Sequence, residues 1–468
     1  MSSSVNPLSS LGSSLGTSGT GTTTGGGLGQ GINVQQFVQF AVADQQANIT
    51  ALETQQTGLN SQASELSTIS SDLNNLNSAA AALNDPLGAL NAEIATSSNS
   101  NALTANASGV AVAGSHTISI TNLATTSSYY TDAVATSSTA LATGDTIAIS
   151  VGGNAVASVT IDSTNNTLDK LAAAINSKTS AVQASVINDA NGSRLALVSA
   201  TSGAPGSIGV TGGLHLTDVS NTAVNFHQAA AGLNAQLTVD GVPISSTTNT
   251  VTGVINGVTL NLAAPTGGNP VSLTVAPDTS QATTAVNNFA SAYNAAVTEI
   301  NKQFNVASDG SGGGPLEADN SLRQVQSLLL GAISHSISGN NGIVNLASLG
   351  VDLNNDGTLS VNNSTLSSAL SSNFAAVQNL LQNTTNGFSQ NLSNVISTIN
   401  GPVAGILTLD SQGITSTAQG LTQQISTLQA ALVVQEKNFT NVYAQVNATL
   451  QELPLLENQL TQQLAGIA

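Results

Sequence analysis

The acidic and amide side chains at positions 352–357 form the best-ordered set of possible metal ligands in the sequence. Asp352, Asn354 and Asp356 alternate with other residues, and Gly357 follows them, as in the first half of a calcium-binding loop. Such a loop supplies a bidentate glutamate at its twelfth position, whereas this chain has Asn363 there. The ligand set is therefore incomplete.

The same segment also has the pattern of a turn between two short strands. Residues 350–353 and 358–361 look extended, and the glycine after Asp356 supplies the positive φ that tight turns often need. We therefore interpret the segment as a hairpin turn, and Asp352, Asn354 and Asp356 are kept only as a weak metal candidate.

Other residues with catalytic or metal-binding potential lack the spacing that such sites need. The histidines form no i, i+4 pair on a predicted helix, and no Gly-x-Ser-x-Gly elbow stands between a strand and a helix. The glycine-rich run at 25–31 lacks the features of a phosphate loop and is interpreted as a linker. The histidines, interpreted as surface or strand-face residues, are His116, His215, His227 and His335. The sequence thus predicts no enzymatic activity, no cofactor and no metal centre.

Composition limits both the partners and the architecture. The chain has 468 residues, with 6 Lys and Arg against 24 Asp and Glu and a formal net charge of −18. A chain this acidic repels phosphate backbones, so we expect no binding to nucleic acid. Aromatic residues make up 3% of the chain, and it has no Trp and no Cys. The core must then consist of thin layers of Ala, Val, Leu and Ile without disulfides, which suits elongated multi-domain units.

Neither the N-terminus nor any apolar run carries an ordinary membrane or secretion signal. No run approaches the roughly 18 apolar residues of a membrane span, so we expect no membrane insertion. Residues 1–30 are rich in Ser, Gly and Thr and lack both a basic and an apolar stretch. We interpret them as a flexible tail, and export would require a route that reads a different signal.

A heptad repeat dominates the N-terminal part of the chain. Apolar residues recur every seven positions, and a second stripe precedes later members of the first by four residues, which is typical of a coiled-coil seam. We expect this helix to end near Asp85-Pro86, because proline disfavours helix in the residue before it. The stripes comprise Leu52, Leu59, Leu66, Leu73, Ala80 and Leu87, with Ile69, Leu76 and Leu83.

A longer stripe occupies the C-terminus. Its spacings of four and three continue over about forty residues, which exceeds ordinary globular helices and favours a coiled coil. Pro454 is expected to kink or break this helix. Residues 286–304 repeat the pattern more briefly, and the alternative for every stripe is an ordinary bundle helix. The C-terminal members assigned to the assembly seam are Leu421, Ile425, Leu428, Leu432, Phe439, Val442 and Val446.

The middle of the chain, residues 95–278, is predicted to be rich in β-strands. Segments 116–120 and 146–151 alternate apolar and polar residues, as half-buried strands do. A short helix capped by Asn166 or Thr167 interrupts the strands. Hairpins are predicted at dipeptides that tolerate positive φ, namely Asn191-Gly192, Asp240-Gly241 and Asn256-Gly257. The sequence thus predicts an α+β multi-domain fold in which N- and C-terminal helices pair as a coiled coil or helical bundle and β-rich domains are inserted between them.

Short motifs, in their order along the chain, resemble the flagellar filament cap family (FliD). The resemblance covers nearly the whole chain from about residue 31, and residues 144–200 look like the repeat shared by hook and filament proteins. No single motif is decisive, but their order and spacing are specific. The matching segments are 31–38, 96–99 with 103–107, 114–124, 239–244 with 256–262, 320–323 and 349–352.

The resemblance implies an exported structural protein at the extracellular tip of the flagellum. Family members leave the cell unfolded through the flagellar secretion channel and form a homo-oligomeric ring. They promote the folding and insertion of flagellin during filament growth, and some members bind host surfaces through the outer domain. The implied partners are copies of the same chain, flagellin, hook-filament junction proteins and an export chaperone.

The resemblance also implies a division of the chain into a tail, two helical ends, a helical leg and two β-rich domains. The outer β-rich domain would contain the hook and flagellin repeat. The expected parts are the flexible tail at 1–30, the N-terminal helical coiled-coil segment at 31–94, a middle β-rich domain at 95–126 with 229–278, the outer β-rich domain at 127–228, the helical leg domain at 279–413 with a hairpin near 350–361, and the C-terminal coiled coil at 414–468.

Two other classes stay open. Another flagellar axial protein, such as a filament or hook-junction subunit, shares coiled ends and inserted β domains. An extracellular adhesin with a calcium-stabilised β domain would need a secretory signal, which the sequence lacks.

Overall fold

The computed structural model describes residues 33–305 and 312–465. The tail expected at 1–30 therefore lies outside the described residues. The helices are α1 (Val34–Leu83), α2 (Leu168–Lys178), α3 (Thr279–Phe304), α4 (Asn320–Ile333), α5 (Asn363–Ser372), α6 (Phe374–Gln382), α7 (Phe388–Asn400) and α8 (Ile406–Ala465). The strands are β1 (Glu93–Ser97), β2 (Leu103–Ala107), β3 (Gly114–Asn122), β4 (Thr126–Thr131), β5 (Thr146–Val151), β6 (Asn154–Thr160), β7 (Val182–Asp189), β8 (Gly192–Ser202), β9 (Ile208–Gly212), β10 (Leu214–His215), β11 (Ala223–Val224), β12 (Phe226–Ala230), β13 (Ala235–Val239), β14 (Val242–Ser246), β15 (Thr250–Ile255), β16 (Val258–Leu262), β17 (Val271–Pro277), β18 (Val351–Leu353) and β19 (Leu359–Val361).

The long helix α1 ends where its sequence predicts, and its first turn has a cap that the sequence analysis did not name. The Asn33 side chain accepts a hydrogen bond from the Gln36 amide at 3.2 Å and so caps the first turn. The helix ends at Leu83, just before Asp85-Pro86. Leu87 was expected to continue the heptad stripe, and this expectation is wrong. It lies beyond the helix end and is 80% exposed.

The C-terminal half of α1 packs into a helical unit, the leg bundle, with α3 to α7 and the first turns of α8. Its largest buried side chains are aromatic: the Phe289 ring meets Phe388 edge-on at 5.3 Å and lies 6.5 Å from Tyr293. The 286–304 stripe is thus buried among several helices. Of its two interpretations, the ordinary bundle helix is correct and the coiled coil is not, because neighbours surround α3 on more than one side.

The terminal helices pair over the N-terminal half of α1. The ring centres of Phe37 and Tyr443 lie 5.7 Å apart, and Gln56 donates a hydrogen bond to Thr422, so the two helices run antiparallel. Helix α8 is continuous across the boundary expected at 413/414 and through Pro454. The helix was expected to kink or break at Pro454, and it does not break there.

Two β units project from the leg bundle as one long insertion. The middle β unit holds a five-stranded sheet of order β1-β17-β3-β13-β14 and a three-stranded sheet of order β15-β16-β2, with one apolar cluster between them. The outer β unit is inserted between β3 and β13. It combines the sheets β12-β4-β8-β7, β6-β5-β9 and β10-β11 with helix α2.

The hairpin turns of the β units form where the sequence predicts them. Asp240 and Gly241 have φ of 51° and 82°, so both adopt the left-handed region that a type I′ turn requires. They join β13 to β14. The turns at Asn191-Gly192 and Asn256-Gly257 also join paired strands, but only their glycines have positive φ. Thr167, one of the two expected caps, caps α2.

Candidate assembly surfaces

The N-terminal seam residues lie in two environments. Leu66 and Leu73 are fully buried in the core of the leg bundle. Leu52 and Leu59 are half-buried, and Leu52 packs against the terminal helix pair. The first half of the N-terminal seam therefore packs in the terminal helix pair, and its second half packs in the core of the leg bundle.

The C-terminal seam residues become progressively more exposed along α8. Leu421, Ile425 and Leu432 are buried, and Leu428 and Phe439 are half-buried. Val442 and Val446 are 53% and 43% exposed. The change occurs because α1 begins at Val34, only three residues before Phe37, which lies against Tyr443.

Beyond Val446 the apolar stripe of α8 has no helical neighbour within the described part of the chain. Its leucines are exposed by 41% to 61%. Those leucines are Leu453, Leu456, Leu460 and Leu464. A helix that presents such a stripe gains stability only when another surface covers it.

Side-chain amides that donate to a hydroxyl and to a carboxylate connect the described parts of the two terminal helices. Gln56 Nε2 donates to Thr422 Oγ1 at 2.5 Å, and Gln429 Nε2 donates to Glu53 Oε1 at 3.0 Å. A groove of about 400 Å³ opens between the helices. It has Leu52 and Leu428 among its lining residues, together with the amides of Gln45 and Gln435. Because the groove lining carries no charge, contacts there depend little on ionic strength.

The two β units are fastened to each other by close backbone contacts. The Gly203 amide donates to Thr125 O at 3.0 Å, and Ser202 Oγ donates to Thr247 O at 2.7 Å. Gly203 has φ of +78°, and a Cβ there would lie 2.7 Å from Thr247 O. A Cβ on Gly232 would lie 2.6 Å from Gly203 O. Larger residues therefore do not fit at Gly203 or Gly232 without a shift of the neighbouring backbone.

The segment around Asp356 is a hairpin, as predicted. Strands β18 and β19 pair antiparallel, and Gly357 has φ of +83°. Asp356 Oδ1 accepts from the amide and the hydroxyl of Thr358, at 2.9 and 2.6 Å. These bonds, the hydroxyl bond first, lower the pKa of Asp356. Asn363 starts α5, and its side-chain oxygen accepts from Asn287 at 2.9 Å.

The other weak metal candidates occupy the same hairpin. The Asn354 amide donates to Thr358 O at 2.8 Å and its side chain donates to Thr358 Oγ1 at 3.0 Å. Asp352 is exposed on the paired strand. Turn hydrogen bonds therefore account for the residue types at Asn354 and Asp356. The absence of metal binding stays a prediction.

Three histidines pair with aspartates within the β units, and the sequence did not indicate these pairs. His116 Nδ1 lies 2.7 Å from Asp240, and His227 Nε2 lies 2.8 Å from Asp132. The third pair joins His215 to Asp145 at 3.1 Å. Hydrogen bonds hold the pKa of Asp240 and of Asp132 below the ordinary value, chiefly from His116 and from the Asn225 amide respectively. The partners are far apart in sequence, so no local motif marks them.

An exposed face of the outer β unit carries a row of larger side chains. The Tyr130 ring lies 5.4 Å from the His227 ring, and the Arg194 guanidinium lies 5.6 Å from the centre of Tyr130. Ile187 and Val198 on the neighbouring strands are 54% and 39% exposed. Tyr and Arg at such positions are typical of binding hot spots.

Within residues 33–305 and 312–465, no cluster of three or more His, Cys, Asp or Glu side chains is arranged to hold a metal ion. None of the helices in these ranges combines the length and apolar character needed to cross a bilayer.

Comparison with known proteins shows what this architecture resembles. The family model described as Flagellar hook-associated protein 2 N-terminus matches residues 30–127, and the one described as its C-terminus matches residues 232–454. The chain is 31% identical to the B-type flagellar hook-associated protein 2 of Pseudomonas aeruginosa over 396 residues, covering 80% of this chain and 83% of that protein. It is 28% identical to flagellar hook-associated protein 2 of Escherichia coli over 462 residues, covering 93% and 97%.

A solved structure is also similar. The D1-D2-D3 domains of the flagellar cap protein FliD from Escherichia coli match with a TM-score of 0.55 and 29% identity, over 75% of this chain and 99% of that one. Residues 128–231 lie between the two family matches and correspond to the outer β unit.

Paired terminal helices with β units inserted between them in the sequence define a multi-domain α+β protein of the class seen in the flagellar cap structure. The chain belongs to the flagellar hook-associated protein 2 family, whose members include the filament cap protein FliD. The expected family resemblance is thereby confirmed. Hook-associated protein 2 is also favoured over the filament or hook-junction subunit that the sequence left open.

Proposed function

We propose that this protein caps the distal end of the bacterial flagellar filament and promotes the folding and insertion of flagellin during growth. The observation that carries the proposal is the 31% identity to a flagellar hook-associated protein 2 across 83% of that protein's length. The proposal includes the six-part division of the chain set out from the sequence.

The unpartnered stripe on α8 supports assembly with other chains. Exposed leucines from Leu453 to Leu464 present an apolar surface that other helices can cover. Copies of the same chain in a ring, flagellin and hook-filament junction proteins are the proposed partners, and an export chaperone would shield the stripe before export. The proposed location is the extracellular filament tip, reached without a Sec-type signal peptide. The role needs no enzymatic step.

Electron microscopy and genetics test the proposal together. The purified full chain is expected to form closed rings with projecting legs, whereas a smooth filament of this chain alone would indicate an axial subunit. In a motile host lacking its own hook-associated protein 2, the chain should restore filaments. A deletion strain that secretes flagellin monomers and regains no filament on complementation would contradict the proposal.

Adhesion through the outer β unit is a second candidate, favoured by the Tyr130, Arg194 and His227 row. The double variant Tyr130→Ala/Arg194→Ala should reduce attachment of bacteria to host surfaces and leave swimming motility unchanged. The matched control is Asp169→Ala on the exposed first turn of α2. Unchanged attachment of the double variant would remove this row from consideration.

A further inference from the structure

The apolar stripe near the end of α8 continues the face that packs against α1. Leu432 and Phe439 belong to the cluster that joins the two helices. The exposed leucines begin two heptads beyond Phe439, and residues at intervals of seven share one face of a coiled-coil helix. This surface, the α8 stripe, is therefore the outer end of an interface that is already formed. It consists of Leu453, Leu456, Leu460 and Leu464.

The chain that would continue the pair on the α1 side lies in residues 1–32, which precede the described part. Phe37 lies against Tyr443, so an antiparallel continuation at the same register would place roughly residues 16–27 opposite the α8 stripe. Half of those residues are glycine, and none has an apolar side chain. Glycine opposes helix formation, so a simple extension of α1 cannot cover the stripe.

Apolar side chains at helical spacing stand before the glycine-rich segment. They share one face of a helix, and Asn6, Pro7 and Gly16 suit its cap, its first position and the position just past its end. A helix over 5–15 is about 15 Å long, close to the length of the α8 stripe. Because so short a helix is marginal in water, it needs a surface against its apolar face. These side chains, the tail anchor, are Val5, Leu8, Leu11 and Leu15.

The segment between the tail anchor and α1 has the length needed to reach the α8 stripe. Residues 16–32 number 17, and a glycine-rich chain of this length has an average end-to-end distance of about 20–25 Å. Leu460 follows Tyr443 by 17 residues, which is about 25 Å along a helix. Because reach and span match, the effective concentration of the tail anchor at the stripe is about millimolar.

Charge favours the tail anchor over a second copy of α8 as the occupant. Glu452 and Glu457 are exposed beside the α8 stripe. Two stripes packed face to face would bring four such carboxylates together, and like charges at that distance repel each other. Residues 1–43 contain no Asp or Glu, so the tail adds no repulsion.

We propose that residues 5–15 dock on the α8 stripe of the same chain and shield it in the free subunit. Residues 16–32 act as the linker that their composition predicts. Neighbouring chains displace the tail anchor when they cover the stripe during assembly. Only this displacement rests on the proposed function, because docking concerns the isolated subunit.

Hydrogen exchange of the full chain, measured by mass spectrometry, tests the contact on the α8 side. Peptides from 450–465 should exchange about tenfold faster in Leu8→Ser/Leu11→Ser/Leu15→Ser than in the parent. That factor corresponds to a contact with a Kd of about 0.1 mM at an effective concentration of about 1 mM. Equal exchange in the parent and in this variant would overturn the proposal.

The matched control for that experiment alters the opposite face of the tail anchor. Ser10→Ala/Ser13→Ala leaves the apolar side chains in place, so peptides from 450–465 should exchange as in the parent. An effect of this control as large as that of the leucine variant would also overturn the proposal. Complementation of motility tests the proposed function and is independent of these exchange rates.

A cysteine pair tests whether the contact lies within one chain. Because the chain has no Cys, Leu11→Cys/Leu456→Cys carries only the two introduced thiols. Mild oxidation should give a monomer in which a disulfide joins the tryptic fragments 1–170 and 438–468, with a yield that does not change on dilution. Disulfide-linked dimers whose yield rises with protein concentration would place the tail on a second copy and overturn the proposal.

Discussion

At the scale of single residues, the hairpin around Asp356 separates two chemistries that share a residue pattern. A calcium loop and an Asx-type turn both use aspartate and asparagine oxygens followed by glycine. Here Thr358 donates two hydrogen bonds to Asp356. Asn363 is the first residue of helix α5, and its side-chain oxygen accepts a hydrogen bond from Asn287. These side-chain oxygens therefore accept hydrogen bonds from the chain itself.

We predict that calcium does not stabilise the protein. Thermal melts with millimolar calcium and with chelator should coincide, because only two acidic ligands are available and calcium requires 6 to 8 oxygens. Asp356→Ala should lower the melting temperature equally in both conditions through the lost turn bonds. A calcium-dependent rise that disappears in Asp356→Ala would revive the adhesin alternative.

Gly350 provides a second prediction at this scale. It has φ of +82°, and a Cβ there would lie 2.6 Å from the Thr365 Cβ. Gly350→Ala should therefore cost roughly 1–3 kcal/mol in the free energy of unfolding of the leg. Gly331→Ala, in the interior of α4 with open space around it, is the matched control and should be neutral or stabilising by up to about 1 kcal/mol. Denaturant unfolding measures both, and an equal effect of the two variants would contradict the steric argument.

Sequence reasoning succeeded for residues whose role is local and failed for those whose role is set by distant neighbours. The glycine turns and the cap at Thr167 follow from neighbouring residues. The His116–Asp240 and His227–Asp132 pairs join segments 124 and 95 residues apart. No spacing rule connects such segments until the fold does.

At the scale of elements, the heptad stripes predicted helices but not what each helix packs against. Period and length are the same for a coiled-coil helix and for a long bundle helix until a partner is known. Leu73 and Leu432 belong to similar stripes. One lies in a multi-helix core and the other in a two-helix pair.

Pro454 also shows a limit at this scale. Proline removes one backbone hydrogen bond and opposes a helix interior, yet α8 continues on both sides of it. The residues before it, through Leu453, have good helical propensity. A single unfavourable residue therefore does not end a helix of 60 residues.

The terminal pair can be tested with adjacent residues. Leu432 is 7% exposed and Val433 is 63% exposed. Leu432→Ala should cost about 2–3 kcal/mol of local packing and speed hydrogen exchange in both helices of the pair. Val433→Ala should change the local packing energy by no more than about 0.5 kcal/mol and should leave hydrogen exchange in both helices unchanged. Equal exchange in the parent and in Leu432→Ala would mean that this part of the pair is not formed in solution.

At the scale of the whole molecule, the scarcity of cations gives a simple test of the free helix end. The chain contains only six Lys and Arg, and Lys437 is exposed just before the stretch of α8 that extends beyond α1. Isolated helices are marginal in water. Brief trypsin treatment should therefore cut first after Lys437 and release residues 438–468.

Lys437→Gln is the control for that experiment. The first product should disappear in this variant, and the outer β unit should stay intact although Lys170 and Lys178 lie on its exposed helix surface. Mass spectrometry of the early fragments identifies the cuts. Early cleavage at Lys170 or Lys178 with an intact C-terminus would contradict this layout.

The nesting of the three units also sets the order in which they can form. The outer unit is one continuous segment from β4 to β12. The segments of the middle unit lie on both sides of it in the sequence, and those of the leg bundle lie on both sides of the middle unit. Contacts such as that between Gln56 and Thr422 span 366 residues, and closing so long a loop is slow. If the chain emerges with its N-terminus first, α1 cannot pair with α8 until nearly all of the chain has emerged. The innermost unit is then the first to fold and the terminal pair the last, so the apolar stripe of α1 stays available to other molecules for the longest time.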